Sequence, residues 1–299
     1  MFEINDISLE EKEYIESFLK KQGGTSSEFS FTNLFIWRKR YDIKYAIISD
    51  MLCILPKHIG GPRSVTFPMG ITDEKSLKST IESLLEWFLK NGEKPLIRLY
   101  NEESVKMLLK VFPDKFIITE DRDNFEYIYS SDALINLPGK KYHSKRNHIN
   151  KFRQLYGDFE FKKLSVSDAD ECIALFDKWL LKKDDEAEGL DEEREATIEL
   201  LKNIRALDVF GGGIYVNKKL IAFSFGEKMS DDTVLIHLEH ADTDYDGSFQ
   251  VINQQFCENL CSEFKYINRE EDMGIPGMRK VKESYHPIFM EKKYVASLK

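Results

Sequence analysis

Apolar residues recur along this chain with two different spacings, and the spacing changes from one segment to the next. Tyr14, Ile15, Phe18 and Leu19 mark one face of a helix over residues 9–21, which the pair Gly23 and Gly24 brings to a stop. Residues 30–41 concentrate Phe31, Leu34, Phe35 and Trp37, the aromatic anchors of a helix or a buried turn. Two short apolar runs, 44–48 and 52–55, flank Ser49 and Asp50 and predict a hairpin. Helical spacing returns over 74–89 and 103–111, and extended runs fall at 96–100, 116–119 and 125–129.

Beyond the chain's midpoint the pattern gives a strand at 159–164 and a helix at 168–181 with Ser167 placed to cap it. An acidic stretch, 182–195, reads as a solvated loop or helix end, and a second helix covers 195–207. Gly211, Gly212 and Gly213 do not open a helix, so a phosphate loop is not their natural reading. They begin instead an antiparallel meander of three strands, with tight turns at Asn217-Lys218 and at 230–232. A helix at 249–263, a strand at 266–268, the segment GIPGMRKVKESYHP and a strand at 289–294 complete the chain. The order is strand, two helices, meander, helix, strand, helix, strand, and the class is α+β.

Composition narrows the function more than the fold. The 299 residues suffice for two ordinary domains or one large one. Hydrophobic residues at 42%, with 21 Phe and 13 Tyr, exclude a disordered chain. The longest apolar stretch, 46–56, is interrupted by Ser49 and Asp50 and falls well short of the roughly 20 residues of a membrane span. With an acidic, non-signal N-terminus, a cytoplasmic location is expected. Cys53, Cys172, Cys257 and Cys261 form no metal-binding pairs and read as reduced core thiols. A net charge of −9 argues against indiscriminate nucleic-acid binding.

One segment departs from that acidic background. Residues 140–153, KKYHSKRNHINKFR, carry six Lys or Arg and no Asp or Glu. As a helix they would set Lys141, Lys145 and His148 on one face and Tyr142, Ile149, Phe152 and Tyr156 on a packed face. The exposed face is then either an anion site or an ordinary solvated surface.

The second-half order resembles the GNAT acyltransferase fold, in which a meander leads to a helix facing the acyl donor's phosphates. SEFSFTNLFIWR at 27–38, LPGKKYHSKRNHINKF at 137–152 and NREEDMGIPGMRKVKESYHP at 268–287 are similar to a bacterial family of unknown function, itself related to the C-terminal domain of phosphatidylglycerol lysyltransferase. That resemblance implies two GNAT-like halves, 1–138 and 159–299, a basic connecting helix at 139–158, and chemistry in the second half. Paired relatives, the lysyltransferase domain and the Fem-type peptidoglycan transferases, move an amino acid from aminoacyl-tRNA to an amine or hydroxyl. The implied activity is therefore acyl transfer from aminoacyl-tRNA or another phosphate-bearing donor to a small-molecule, peptide or lipid acceptor. The lysyltransferase carries a large membrane segment ahead of this domain, absent from this sequence, so its lipid acceptor is not carried over. Two alternatives stay open, a non-catalytic module binding an anion or nucleic acid and an acetyl-coenzyme A-dependent acetyltransferase. Coenzyme A is disfavoured by the turn DTDYDGSFQ at 242–250, where Gly247 stands alone among aspartates.

Acyl transfer needs a base, an oxyanion cradle and an acid for the leaving group. Glu239 and His240 are the candidate bases, and strand alternation puts His237 and Glu239 on one face and His240 on the other. That divergence, with spacing unlike HExxH, excludes a zinc site. Tyr285 falls where GNAT enzymes often place a tyrosine acid. Lys141, Lys145 and Arg146, joined by Arg279, Lys280 and Lys282, are the expected phosphate ligands, with Gly247, Gly274 and Gly277 shaping the loops.

Overall fold

The computed structural model describes residues 2–57, 61–71, 73–182 and 189–299, so residues 183–188 of the acidic stretch lie outside the described residues. The chain forms two compact units that interleave in sequence. Unit 1 comprises Met1–Glu126, Glu271–Pro276 and Met290–Lys299, and unit 2 comprises Tyr127–Glu270 and Gly277–Phe289.

In unit 1, β1 (Asn5–Asp6), β2 (Lys44–Ile48) and β3 (Met51–Leu55) form an antiparallel sheet in that order. Ser49 and Asp50 both take positive φ, 50° and 60°, the primed turn whose twist matches the flanking strands. Helix α1 (Lys12–Gln22) ends where Gly23 adopts φ 64°. The aromatic segment resolves into a short helix, α2 (Phe31–Ile36), whose first turn is capped by Ser30 Oγ accepting from the Asn33 amide at 2.9 Å. Helices α3 (Glu74–Lys90) and α4 (Glu102–Val111) are capped by Asp73 and Asn101. A second sheet orders β4 (Val65–Thr66), β5 (Leu96–Leu99), β14 (Tyr294–Leu298) and β6 (Phe116–Glu120), so the chain's last strand fills an interior position, antiparallel to both neighbours.

Unit 2 is built on a seven-stranded sheet. Its strands are β7 (Glu126–Ser130), β8 (Glu160–Leu164), β9 (Phe210–Val216), β10 (Lys219–Lys228), β11 (Thr233–Ala241), β12 (Tyr266–Asn268) and β13 (Phe289–Glu291), in the order β13-β7-β12-β11-β10-β9-β8, with Glu126 of β7 and Met290–Glu291 of β13 falling in the unit 1 segments. From β8 to β11 the pairing is antiparallel, whereas β12 runs parallel to β11. The glycine run lies inside β9. A Cβ on Gly211 would stand 2.2 Å from the Phe225 ring and one on Gly212 2.3 Å from the Phe161 ring, so these glycines make room for aromatic rings laid across the strand.

The helices of unit 2 are α5 (Ser131–Asn136), α6 (His143–Tyr156), α7 (Ala169–Leu180), α8 (Leu190–Lys202), α9 (Ile204–Leu207), α10 (Ser248–Leu260) and α11 (Pro276–Glu283), the last beginning one residue before the unit resumes. Three expectations shift. The helix at 195–207 begins earlier and breaks at Asn203 into α8 and α9. Ser165 rather than Ser167 supplies the cap ahead of α7, in a capping box with Asp168. The single strand at 289–294 is two strands, β13 and β14, in different sheets. The basic segment 139–158 lies within unit 2, its first turn a 3-10 helix (Lys140–Tyr142) leading into α6, and it packs against α10. Tyr142, Ile149 and Phe152 are buried as the packed face requires.

Candidate functional site

Within unit 2 the first turn of α6, the end of α11, strand β11, helix α10 and the exit of β12 bring one group of polar side chains together. Lys145 on α6 donates from Nζ to Ser284 Oγ at 2.7 Å and stands 3.9 Å from the centre of the Tyr285 ring. Ser284 in turn donates to the Val281 carbonyl at 2.6 Å, so its oxygen is the acceptor toward the lysine. Two further bonds tie this segment to the start of α6. Tyr142 OH donates to the Tyr285 carbonyl at 3.0 Å, and His286 Nε2 lies 3.2 Å from the Lys141 carbonyl oxygen.

Below the lysine lies a buried ion pair. Arg269, just past β12, donates from Nη2 to Glu239 Oε1 at 2.8 Å, and Asn253 on α10 donates to Glu239 Oε2 at 3.1 Å. Both oxygens of the carboxylate are therefore engaged. The guanidinium lies 5.0 Å from the Tyr285 ring centre and is flanked by Tyr129 at 5.8 Å. Its other terminal nitrogen, Nη1, is buried and among the described residues has no hydrogen-bond partner, the side chain being only 10% exposed. A buried donor left unpaired in this way is costly and marks a place where a ligand atom fits.

These contacts set the charges. Burial strips water from the Lys145 ammonium and Arg269 repels it, so its pKa falls to about 8 despite the nearby Glu239 carboxylate. Burial works to lower the pKa of Arg269, but Glu239 acting together with Tyr129, Tyr285 and Cys257 raises it. Burial raises the Tyr285 phenol well above its ordinary value, leaving it a neutral hydroxyl that can both donate and accept. One position along on the same face of β11, His237 has a fully buried side chain set 3.3 Å from Glu227 Oε1 and 3.3 Å from Glu270 Oε1. Burial alone would lower its pKa, but the two carboxylates raise it to about 9.

Of the residues expected from sequence, Lys145, Glu239 and Tyr285 meet. Lys282 borders them, donating to the Arg269 carbonyl at 2.7 Å. His240 faces away, as alternation requires, packed on Phe176 and Trp179 with ring centres at 4.5 and 5.2 Å. Arg146 Nη1 donates to the carbonyls of Leu137 and Gly139 and fastens the turn ahead of α6. Lys141 is exposed beside Tyr142, and Arg279 and Lys280 lie on α11 before the Ser284 turn. Gly274, in unit 1, is shaped by close approach, since a Cβ would stand 2.8 Å from the Asp123 carboxylate at φ 71°. Gly277 differs from expectation: a Cβ there meets nothing within 4 Å and its φ is not left-handed, so it makes no sharp excursion. Arg269, Asn253 and Ser284 were not singled out in the sequence. The signal available was Arg269 inside NREED directly after a short strand, and it reads as ordinary surface charge until the fold buries it.

The turn from β11 to α10 bears on the donor. Gly247 takes φ 90°, and a Cβ on it would stand 2.6 Å from the His148 carbonyl, so α6 lies directly over the α10 N-terminus. Asp242 is buried, and Lys182 reaches it at 3.2 Å, while Lys178 and Lys182 reach Asp244 at 2.7 and 2.6 Å. Asp244 is held at about 2 by these lysines. A cavity of about 470 Å³ opens beside them, lined in part by Tyr156, Asn217, Lys219 and Tyr245. Among the described residues no group of three His, Cys, Asp or Glu side chains is placed to hold a metal ion, and no helix is long and apolar enough to cross a membrane.

Comparison with known proteins agrees with this architecture. The chain is similar to a conserved protein of unknown function from Bacteroides thetaiotaomicron, 37% identical over 100% of both chains with a TM-score of 0.91. It shares its fold with the L-PGS of Bacillus licheniformis, at a TM-score of 0.64 and 17% identity over 95% of this chain and 91% of that one. It also shares a fold with a tandem GNAT protein from the clavulanic acid biosynthesis pathway, at 0.51 and 8% identity over 100% and 98%. The fold is thus GNAT-like. Residues 21–297 match the phosphatidylglycerol lysyltransferase C-terminal family, and the chain belongs to that family.

Proposed function

We propose that unit 2 is an acyltransferase of the aminoacyl-transfer type, moving an aminoacyl group from aminoacyl-tRNA, or another phosphate-bearing acyl donor, to an amine or hydroxyl acceptor. The observation that carries this reading is the half-buried Lys145 amine, with a pKa of about 8, beside the buried and unpartnered Nη1 of Arg269. A cation that titrates near neutrality can both give and take a proton, and a fixed guanidinium donor in a dry site can hold a developing oxyanion.

The chemistry follows from those two groups. The acceptor nitrogen attacks the ester carbonyl, and Arg269 Nη1 takes the oxyanion. As the tetrahedral carbon collapses, the carbonyl–ribose C–O bond breaks and the Lys145 ammonium gives its proton to the leaving ribose oxygen. The proton lost by the acceptor amine restores the ammonium. Glu239 orients Arg269 and is not the base, because both its oxygens already accept hydrogen bonds. The closed N-terminus of α10 and the aspartates beside it disfavour a coenzyme A pyrophosphate at the place where GNAT enzymes hold it.

Transfer of label from charged tRNA to a panel of lipid, peptide and small amine acceptors tests the reading. Lys145→Met and Arg269→Met should each lower transfer by about two orders of magnitude, the usual cost of losing an acid–base or oxyanion group. Absence of transfer by the wild-type chain across the panel would overturn it. A thermal shift with acetyl-coenzyme A should be absent, and a saturable shift would favour the acetyltransferase alternative.

A further inference from the structure

Lysine side chains in this protein fall into two chemical groups. Lys151, on the same helix as Lys145, is paired with Asp246, and the carboxylate raises its pKa. Lys178 and Lys182 are raised likewise by Asp242 and Asp244, and the buried Lys293 is held as an ammonium by Glu126 at 2.7 Å. Such amines are almost wholly protonated at physiological pH and react only slowly as nucleophiles. Lys145 is different: among the described residues it has no carboxylate within ion-pair distance, Glu239 standing further off, and its closest neighbours are a hydroxyl, an aromatic face and a second cation.

We propose that Lys145 is a covalent modification site, its ε-amine accepting the acyl group of a small activated donor such as an acyl phosphate or a thioester. Four features of the site combine to favour it. Ser284 Oγ accepts one N–H of the amine and so fixes its direction at 2.7 Å. The Tyr285 ring 3.9 Å away holds the side chain against the buried cluster. Arg269 Nη1, a buried donor without a partner in the same cluster, is available to the oxyanion of the tetrahedral adduct. Lys145 is only partly buried, so a small donor reaches it where a protein enzyme's cleft would not.

In the reaction the nitrogen lone pair attacks the carbonyl carbon and the N–C bond forms. The bond from that carbon to the phosphate oxygen, or to the thioester sulfur, breaks and the leaving group keeps the electron pair. The nitrogen loses one proton to the leaving group or to water. The product is a neutral amide, which removes the titrating cation from the site. This reactivity requires neither tRNA nor an acceptor and does not depend on the aminoacyl-transfer reading.

At pH 8 an amine with a pKa of about 8 is half neutral, whereas an ordinary lysine is roughly 0.3% neutral. A lower pKa also makes a weaker nucleophile, by roughly tenfold over this range if amines follow the trend known for thiols. The net advantage is about tenfold. The test is to treat the full chain with acetyl phosphate between pH 6.5 and 10 and to quantify each acetyl-lysine by isotope-coded peptide mass spectrometry. Lys145 should be modified about ten times faster than Lys151 at pH 8, with a rate that levels off just above that pH. Ser284→Ala, which leaves every buried ion pair in place, should narrow the ratio. A Lys145 rate no greater than that of Lys151, or one still climbing tenfold per pH unit from 8.5 to 10, would overturn the proposal.

Discussion

Lys145 and His237 belong to separate polar groups of unit 2, are buried to different depths and respond to pH in opposite senses. The folded Lys145 has a pKa near 8 against 10.5 for the free side chain, so between those values the unfolded chain binds the extra proton. Its charge therefore destabilises the fold fully below pH 8, and the penalty is relieved as pH rises from 8 to 10.5. Because the group is partly solvated and rests on an aromatic face, the penalty is discounted to about 1 kcal/mol. Lys145→Met should accordingly raise urea stability at pH 7 by that order while lowering transfer by about two orders of magnitude, the pattern of a residue kept for chemistry. His237 runs the other way. Its folded pKa of about 9 lies above the unfolded 6.5, so its stabilisation is complete below pH 6.5 and lost between 6.5 and 9. The imidazole should titrate near 9 by NMR, and His237→Gln should flatten the decline in stability across that window. Sequence placed His237 and Glu239 on one face of β11 by simple alternation. It did not show that Glu227 and Glu270 enclose the histidine, or that Arg269 and Asn253 engage the glutamate, because those partners come from other strands and a helix.

At the level of elements, two glycines that look alike in sequence have opposite roles. Gly247 lies where α6 crosses the start of α10, with φ 90° and the His148 carbonyl 2.6 Å from any Cβ. Gly247→Ala strains the backbone and separates two helices at once, and should cost about 2–3 kcal/mol in denaturant unfolding. Gly277 is inside α11 with open space around it, so Gly277→Ala should be neutral or stabilise by up to about 1 kcal/mol through helix propensity. Equal effects from the two substitutions would contradict this assignment. Periodicity located both helices and the meander well, since local spacing alone dictates which face is buried. It missed the break at Asn203 between α8 and α9, and it missed the split between β13 and β14 because that depends on sheets assembled from distant segments.

Across the whole molecule, a linear division of the chain is a poor guide to how it is built. The basic segment 139–158, expected as a connector, lies within unit 2, and the last ten residues, Met290–Lys299, return to unit 1. There β14 fills an interior position of its sheet, which no local pattern could announce. What fastens this return is electrostatic. Lys293, 4% exposed, reaches Glu126, 1% exposed, at 2.7 Å, and the same carboxylate accepts the Ser27 amide at 3.0 Å and the Ser27 hydroxyl at 2.7 Å. Ser27 of the SEFSFTNLFIWR motif and Ser26 just before it therefore organise a buried charge in unit 1, remote in role from the proposed acyl transfer. Removing one partner leaves the other uncompensated in a dry site, which costs about 3–5 kcal/mol. Lys293→Met should destabilise unit 1 by that amount. Adding Glu126→Gln should recover much of the loss, because the glutamine can still accept from Ser27 without a charge. Scanning calorimetry of the single and double variants decides the matter: a double variant no more stable than Lys293→Met would mean that the lysine acts through packing of its stem, not through the charge it neutralises.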